Sequence, residues 1–127
     1  MKRQTGPWVR KAEDDFQSAQ LLASGRRPLC DNACFHCQQV VEKYLKGLLQ
    51  ELGVAFPKTH DLETLVKLVL PHVRKLDRFR RRIDALTTFA VEYRYPIVRA
   101  STREMRAALR TATLVRREIR TFLNLPT

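Results

Sequence analysis

The stretch that decides the fold is Cys34-Phe35-His36-Cys37-Gln38-Gln39-Val40-Val41-Glu42-Lys43-Tyr44-Leu45-Lys46-Gly47-Leu48-Leu49. Cys34, Cys37, Val41, Tyr44, Leu45 and Leu48 recur at helical spacing and make one apolar face. Gln39, Lys43, Lys46 and Gln50 fall opposite. Phe35, Gln38, Glu42 and Leu49 form a third, mixed strip. A helix that is apolar over more than one stripe touches more than one neighbour. The segment therefore reads as the central helix of a bundle, with a flank left for a partner chain or a ligand.

Working outward, five helical segments cover nearly all of the 127 residues. The first runs from about Pro7, a residue suited to a first helical turn, to Ala23, with Trp8, Ala12, Phe16, Ala19 and Leu22 as its stripe. Gly25 to Pro28 breaks it. The central helix runs from about Leu29 to Leu52 and stops at Gly53, a common C-terminal cap. A third helix starts near Thr59 as N-cap, buries Leu62, Leu65, Val66 and Val69, and ends or kinks at Pro71. The fourth carries Leu76, Phe79, Ile83, Leu86, Ala90 and Tyr93, alternately three and four apart, and closes at Arg94-Tyr95-Pro96. The fifth opens on the capping box Ser101-Thr102-Arg103-Glu104 and carries Met105, Ala108, Leu109, Ala112, Val115, Ile119 and Phe122. No segment alternates with period two. The expected fold is all-α: an up-and-down bundle of four main helices with a short additional helix packed across it, in one domain over residues 1–127.

Lys and Arg number 24 against 13 Asp and Glu, a formal charge of +11. Such an excess fits an anionic partner, and equally a self-repelling surface that only keeps the protein dispersed. Arg99, Arg103, Arg106 and Arg110 make one stripe on the fifth helix, able to follow a nucleic-acid backbone or simply to be solvated. The apolar fraction, 44%, argues against disorder along the whole chain. No apolar run reaches the ~18 residues of a spanning helix, and no apolar core follows the basic start, so a cytoplasmic protein without a membrane segment is expected.

Familiar catalytic signatures are missing. There is no glycine-rich phosphate loop and no His-Glu-x-x-His, so no cofactor or metal is expected. Cys30, Cys34 and Cys37 share one helix face and read as small core residues rather than zinc ligands. Asp14 and Asp15 are adjacent and face apart, and Asp14 reads as a surface acid. Two polar clusters remain. His60, in Pro57-Lys58-Thr59-His60-Asp61-Leu62, sits at a helix start where it can bind phosphate, act as acid or base, or bond the loop. Arg94 and Tyr95 lie in a rigid turn. Arg94 is suited to gripping phosphate or carboxylate, or to pairing with Glu42 or Asp61, and Tyr95 to stacking on a base.

Three blocks in this order resemble the HEPN domain family: Cys34 to Lys46, Phe56-Pro57-Lys58-Thr59-His60-Asp61-Leu62, and Arg94-Tyr95-Pro96. Trp8, Ala12, Asp15 and Ala19 also resemble its first helix, so the likeness spans about residues 7 to 124. The resemblance implies a homodimeric helical bundle whose partner is a minimal nucleotidyltransferase, in a two-component or toxin–antitoxin-like arrangement. It also implies nucleotide or RNA binding, for which Lys43, Lys46, His60, Arg94, Arg99 and Arg103 are the expected contacts in this chain. Many members of the family are metal-independent endoribonucleases with an Arg, then four to six intervening residues, then a His. None of His36, His60 and His72 has an Arg at that distance. The chain looks like the Arg-Tyr-Pro branch, as a non-catalytic binding module. The alternative is an endoribonuclease toxin with a rearranged site, for which His60, Arg94 and Tyr95 are the catalytic candidates.

Overall fold

A computed structural model describes residues 1–90, 95–96 and 99–127. Among these, five α-helices and no strand occur: α1 (Thr5–Ala23), α2 (Cys30–Leu52), α3 (Leu62–Val69), α4 (Arg80–Leu86) and α5 (Thr102–Phe122). Two 3-10 segments, Arg74–Phe79 and Thr87–Ala90, flank α4. The architecture is all-α.

α2 is the axis. Thirteen of its 23 residues are buried, and Val40, Val41, Tyr44, Leu45, Leu48 and Leu49 are wholly so. It packs mainly on α1, then on α5 and α3. Contacts at both ends set the directions. Leu29 N–H bonds Leu22 O, and Lys2 N–H bonds Glu51 Oε1, so α1 runs antiparallel to α2. Cys30 Sγ lies 3.9 Å from Thr102 Oγ1, and Arg120 donates to the Tyr44 hydroxyl at 3.1 Å, so α5 runs parallel to α2. The chain between them returns along the bundle through α3 and α4.

α1 and α2 approach closely at Gly47. A Cβ there would stand 3.0 Å from the Trp8 Cβ. α2 ends where expected, at Gly53 in the left-handed region (φ 70°), whose N–H caps Gln50 and Leu49 carbonyls. The capping box on α5 is present in both directions: Ser101 Oγ accepts from Glu104 N–H, and Glu104 Oε1 accepts from Ser101 N–H, each at 3.0 Å.

Three expectations shift. α3 begins at Leu62 with Asp61 as cap, because the Thr59 hydroxyl is already occupied accepting the Asp61 N–H. The fourth segment keeps its expected buried face (Leu76, Ile83, Leu86, Ala90) but is broken into 3-10, α and 3-10 pieces. Its end, from Tyr93 to Arg94, lies outside the described residues. The third shift concerns Lys46, expected on the polar side of α2. It is 7% exposed, because Trp8, 5.8 Å from the ammonium, covers that side as well.

Candidate functional site

Gln38, Glu42 and Lys46 are spaced four apart, so α2 stacks them on one strip. Burial of this strip forces its polar atoms to find partners. Beyond Gly53 the chain turns back: Val54 N–H bonds Leu49 O, and Phe56 packs edge-on against Trp8 at 6.1 Å. This return lays His60 over Glu42. The His60 Nδ1 lies 2.8 Å from Glu42 Oε1. Gln38 Nε2 donates to the same carboxylate oxygen at 3.0 Å and to the His60 carbonyl at 3.3 Å. Lys46 Nζ donates to Glu42 Oε2 at 3.0 Å. Gln38 is itself oriented by Gln39, whose amide donates to Gln38 Oε1 at 2.6 Å.

The electrostatics follow from burial against pairing. Burial alone would raise the Glu42 carboxyl. Hydrogen bonds from Gln38, His60 and Lys46, with the Lys46 charge, outweigh it and hold the carboxyl below its usual value. Glu42 is therefore an ionised, enclosed acceptor. His60 differs from the rest of the cluster: its side chain is 68% exposed, against 4% for Glu42 and 9% for Lys46. Nδ1 is turned inward, and Nε2 has no partner among the described residues. An imidazole rooted on a carboxylate with its far nitrogen in solvent can accept a proton, donate one, or bond a phosphate or hydroxyl.

A second carboxylate sits on the α1–α2 seam. Asp15, 8% exposed, takes the Lys43 ammonium at 2.5 Å and the His36 Nδ1 at 2.8 Å. A third, Glu13, joins three helices. Arg116 donates to it twice at 2.8 Å, and the Tyr44 hydroxyl donates at 2.5 Å. No buried side-chain nitrogen or oxygen among the described residues lacks a partner.

The structure thus brings Lys46 and His60 together on Glu42 and sends Lys43 to Asp15. Arg99 and Arg103 are exposed at the end of the bundle where α2 begins, and Ala100 N–H bonds Asp31 Oδ1 there at 2.6 Å. From Asp31 to Glu42 is eleven residues of α2, roughly 16 Å of rise at ~1.5 Å per residue. Arg99 helps line a depression of about 360 Å³ with Pro28 to Asn32. Arg103, Arg106 and Arg110 are exposed and without an ion pair among the described residues. Arg82 and Arg110 rim a groove of about 390 Å³ between α4 and α5, floored by Leu86, Phe89 and Ala108. Tyr95 is exposed. Arg94 lies outside the described residues. The cysteines behave as core: burial pushes the Cys34 and Cys37 thiols up to about 12. No group of three or more His, Cys, Asp or Glu among the described residues could hold a metal, and no helix among them is long and apolar enough to cross a membrane.

Sequence reasoning missed Glu42 and Gln38 as the anchor of His60, and Asp15 as a buried ion-pair centre. A signal existed in each case. Gln38, Glu42 and Lys46 repeat polar residues along a helix that is otherwise buried, and Asp15 stands three residues after Ala12 and four before Ala19, on the buried stripe of α1.

A small all-α protein built around one enclosed helix, with a rooted surface histidine and an arginine-rich last helix, is the class defined by these features. The family model for the HEPN domain matches residues 6–121. The chain belongs to the HEPN domain family. Among solved structures it is similar to TT1696 from Thermus thermophilus, at 22% identity, over 94% of this chain and 98% of that one, with a TM-score of 0.79. It is also similar to ST0689, described as an archaeal HEPN homologue, at 24% identity, over 97% and 99% of the two chains, with a TM-score of 0.75. At these identities the likeness is one of fold. No curated protein matches the sequence.

Proposed function

We propose that this chain is a non-catalytic nucleotide- or RNA-binding module that acts as a homodimer beside a minimal nucleotidyltransferase. The observation that carries the reading is His60, exposed at its Nε2 and anchored through Nδ1 on the enclosed Glu42. The charge of +11 and the unpaired arginines of α5 supply attraction for phosphate. Lys43 and Lys46 are engaged by Asp15 and Glu42, so the direct contacts are assigned to His60, Arg99 and Arg103, with Arg94 added from its sequence context. Calorimetry with nucleoside triphosphates and co-purification with the product of a neighbouring nucleotidyltransferase gene test the proposal. Binding that His60→Ala weakens at least tenfold supports it, and silence in both experiments contradicts it.

The rooted imidazole also favours a second reading, an endoribonuclease in which His60 takes the proton of an attacking ribose 2′-hydroxyl. Arg94 and Tyr95 are then the remaining catalytic candidates. RNA incubated with the protein and with His60→Ala decides this one. Cleavage by the parent alone supports it, and equal cleavage by both preparations identifies a contaminant.

A further inference from the structure

We infer that Glu42 is a positioning residue that fixes His60 with its proton on Nδ1, so that Nε2 is the one nitrogen offered to a ligand. The inference deepens the proposed function and rests on it only for the identity of that ligand, a group with a hydroxyl proton or a phosphate oxygen such as a ribonucleotide carries.

The geometry is directional. An ionised carboxylate only accepts hydrogen bonds, so the 2.8 Å contact requires the hydrogen on the histidine side, at Nδ1. Glu42 is closed to a ligand by its burial. Its Oε1 takes Gln38 and His60, its Oε2 takes Lys46, and it is 3% exposed. It can therefore act only through the imidazole. The holder is itself held: Gln38 ties the His60 carbonyl to the same strip, so backbone and ring are both fastened to α2. Glu42 and Lys46 cancel in charge, so the cluster adds none of its own when His60 is neutral. A bare Nε2 then accepts from a hydroxyl, and a protonated Nε2 donates to a phosphate oxygen. A second carboxylate–histidine contact, Asp15 with His36, gives an internal reference on the same helix, with a far less exposed ring.

Long-range proton–nitrogen NMR of histidine-labelled protein reads which ring nitrogen carries hydrogen, without any ligand. The expected result is a neutral His60 with hydrogen on Nδ1, favoured more than about tenfold because the bond is to a charged acceptor. In Glu42→Gln the amide presents either an oxygen or an NH2, and the preference falls to near parity or reverses while His36 keeps its signals. A neutral parent His60 with hydrogen on Nε2 overturns the inference, as does a folded Glu42→Gln with an unchanged tautomer. The parent measurement stands even if the variant fails to fold. Adding AMP, and then a short RNA, separates the two proposals. An Nδ1–H imidazole whose signals neither ligand moves supports the role of Glu42 and contradicts the binding function.

Discussion

Tyr44 shows how single polar atoms hold this bundle together. Its hydroxyl donates to Glu13 of α1 and accepts from Arg120 of α5, at a ring that is fully buried on α2. Burial, and then the Glu13 carboxylate, push its ionisation up to about 12, so it remains a neutral donor throughout the physiological range. Tyr44→Phe deletes the donor to Glu13 and the acceptor for Arg120 and leaves the ring in place. It should cost about 1.5–3 kcal/mol in urea unfolding, the net range for a hydrogen bond to a charged group. The cysteines give a second test at this scale. Cys34 and Cys37 are wholly buried and Cys30 is partly buried. Ellman's reagent should modify one thiol quickly in native protein and all three after denaturation. Three fast thiols would mean that α2 is not the enclosed axis described here.

At the scale of the element, α2 depends on a residue without a side chain. Gly47→Val places two methyl groups against Trp8, where even a Cβ is in tight contact. It should destabilise by about 1–3 kcal/mol, with a fall in melting temperature. Ser101→Ala removes one half of the α5 capping box and should cost about 1 kcal/mol without changing the fold by circular dichroism. Helices of this kind were legible because their apolar period and their caps are local in sequence: of the stripe expected on α5, Met105, Ala108, Ala112, Val115 and Ile119 are buried as their spacing requires, Leu109 is partly buried, and Phe122, on the last turn, is exposed. The segment from Leu76 to Ala90 was half legible. Periodicity reports which side chains face the core, and it does not distinguish α from 3-10 hydrogen bonding. His60 was legible as a residue at a helix start. Its anchor was not, because Glu42 lies eighteen residues away and the pairing depends on how the loop after Gly53 folds back.

Across the whole molecule, carboxylates clamp the elements to one another: Glu13 holds α5 to α1, Glu42 holds the α2–α3 loop, and Glu63 holds Arg80 of α4 to α3. Each of these three titrates lower in the folded protein than its usual value of 4.5. The unfolded chain therefore takes up protons first on acidification. Stability should be complete above about pH 4.5 and decline as the pH falls through the lowered folded values. Urea midpoints measured between neutral and acid pH check this, and a midpoint that is flat or rising below 4.5 contradicts it. The same surplus of arginine that acidification leaves unbalanced attracts phosphate at neutral pH. Binding of a short RNA should weaken steeply with added salt.

On the proposed function, the imidazole at position 60, fastened to Glu42, faces the ligand. Titrating the histidine-labelled protein with AMP, and with a short RNA, while following the ring signals of all three histidines tests it most directly. Saturable shifts are expected at His60, with His36 unmoved behind its contact to Asp15. Binding that leaves His60 unmoved, or no binding of either ligand, would contradict it.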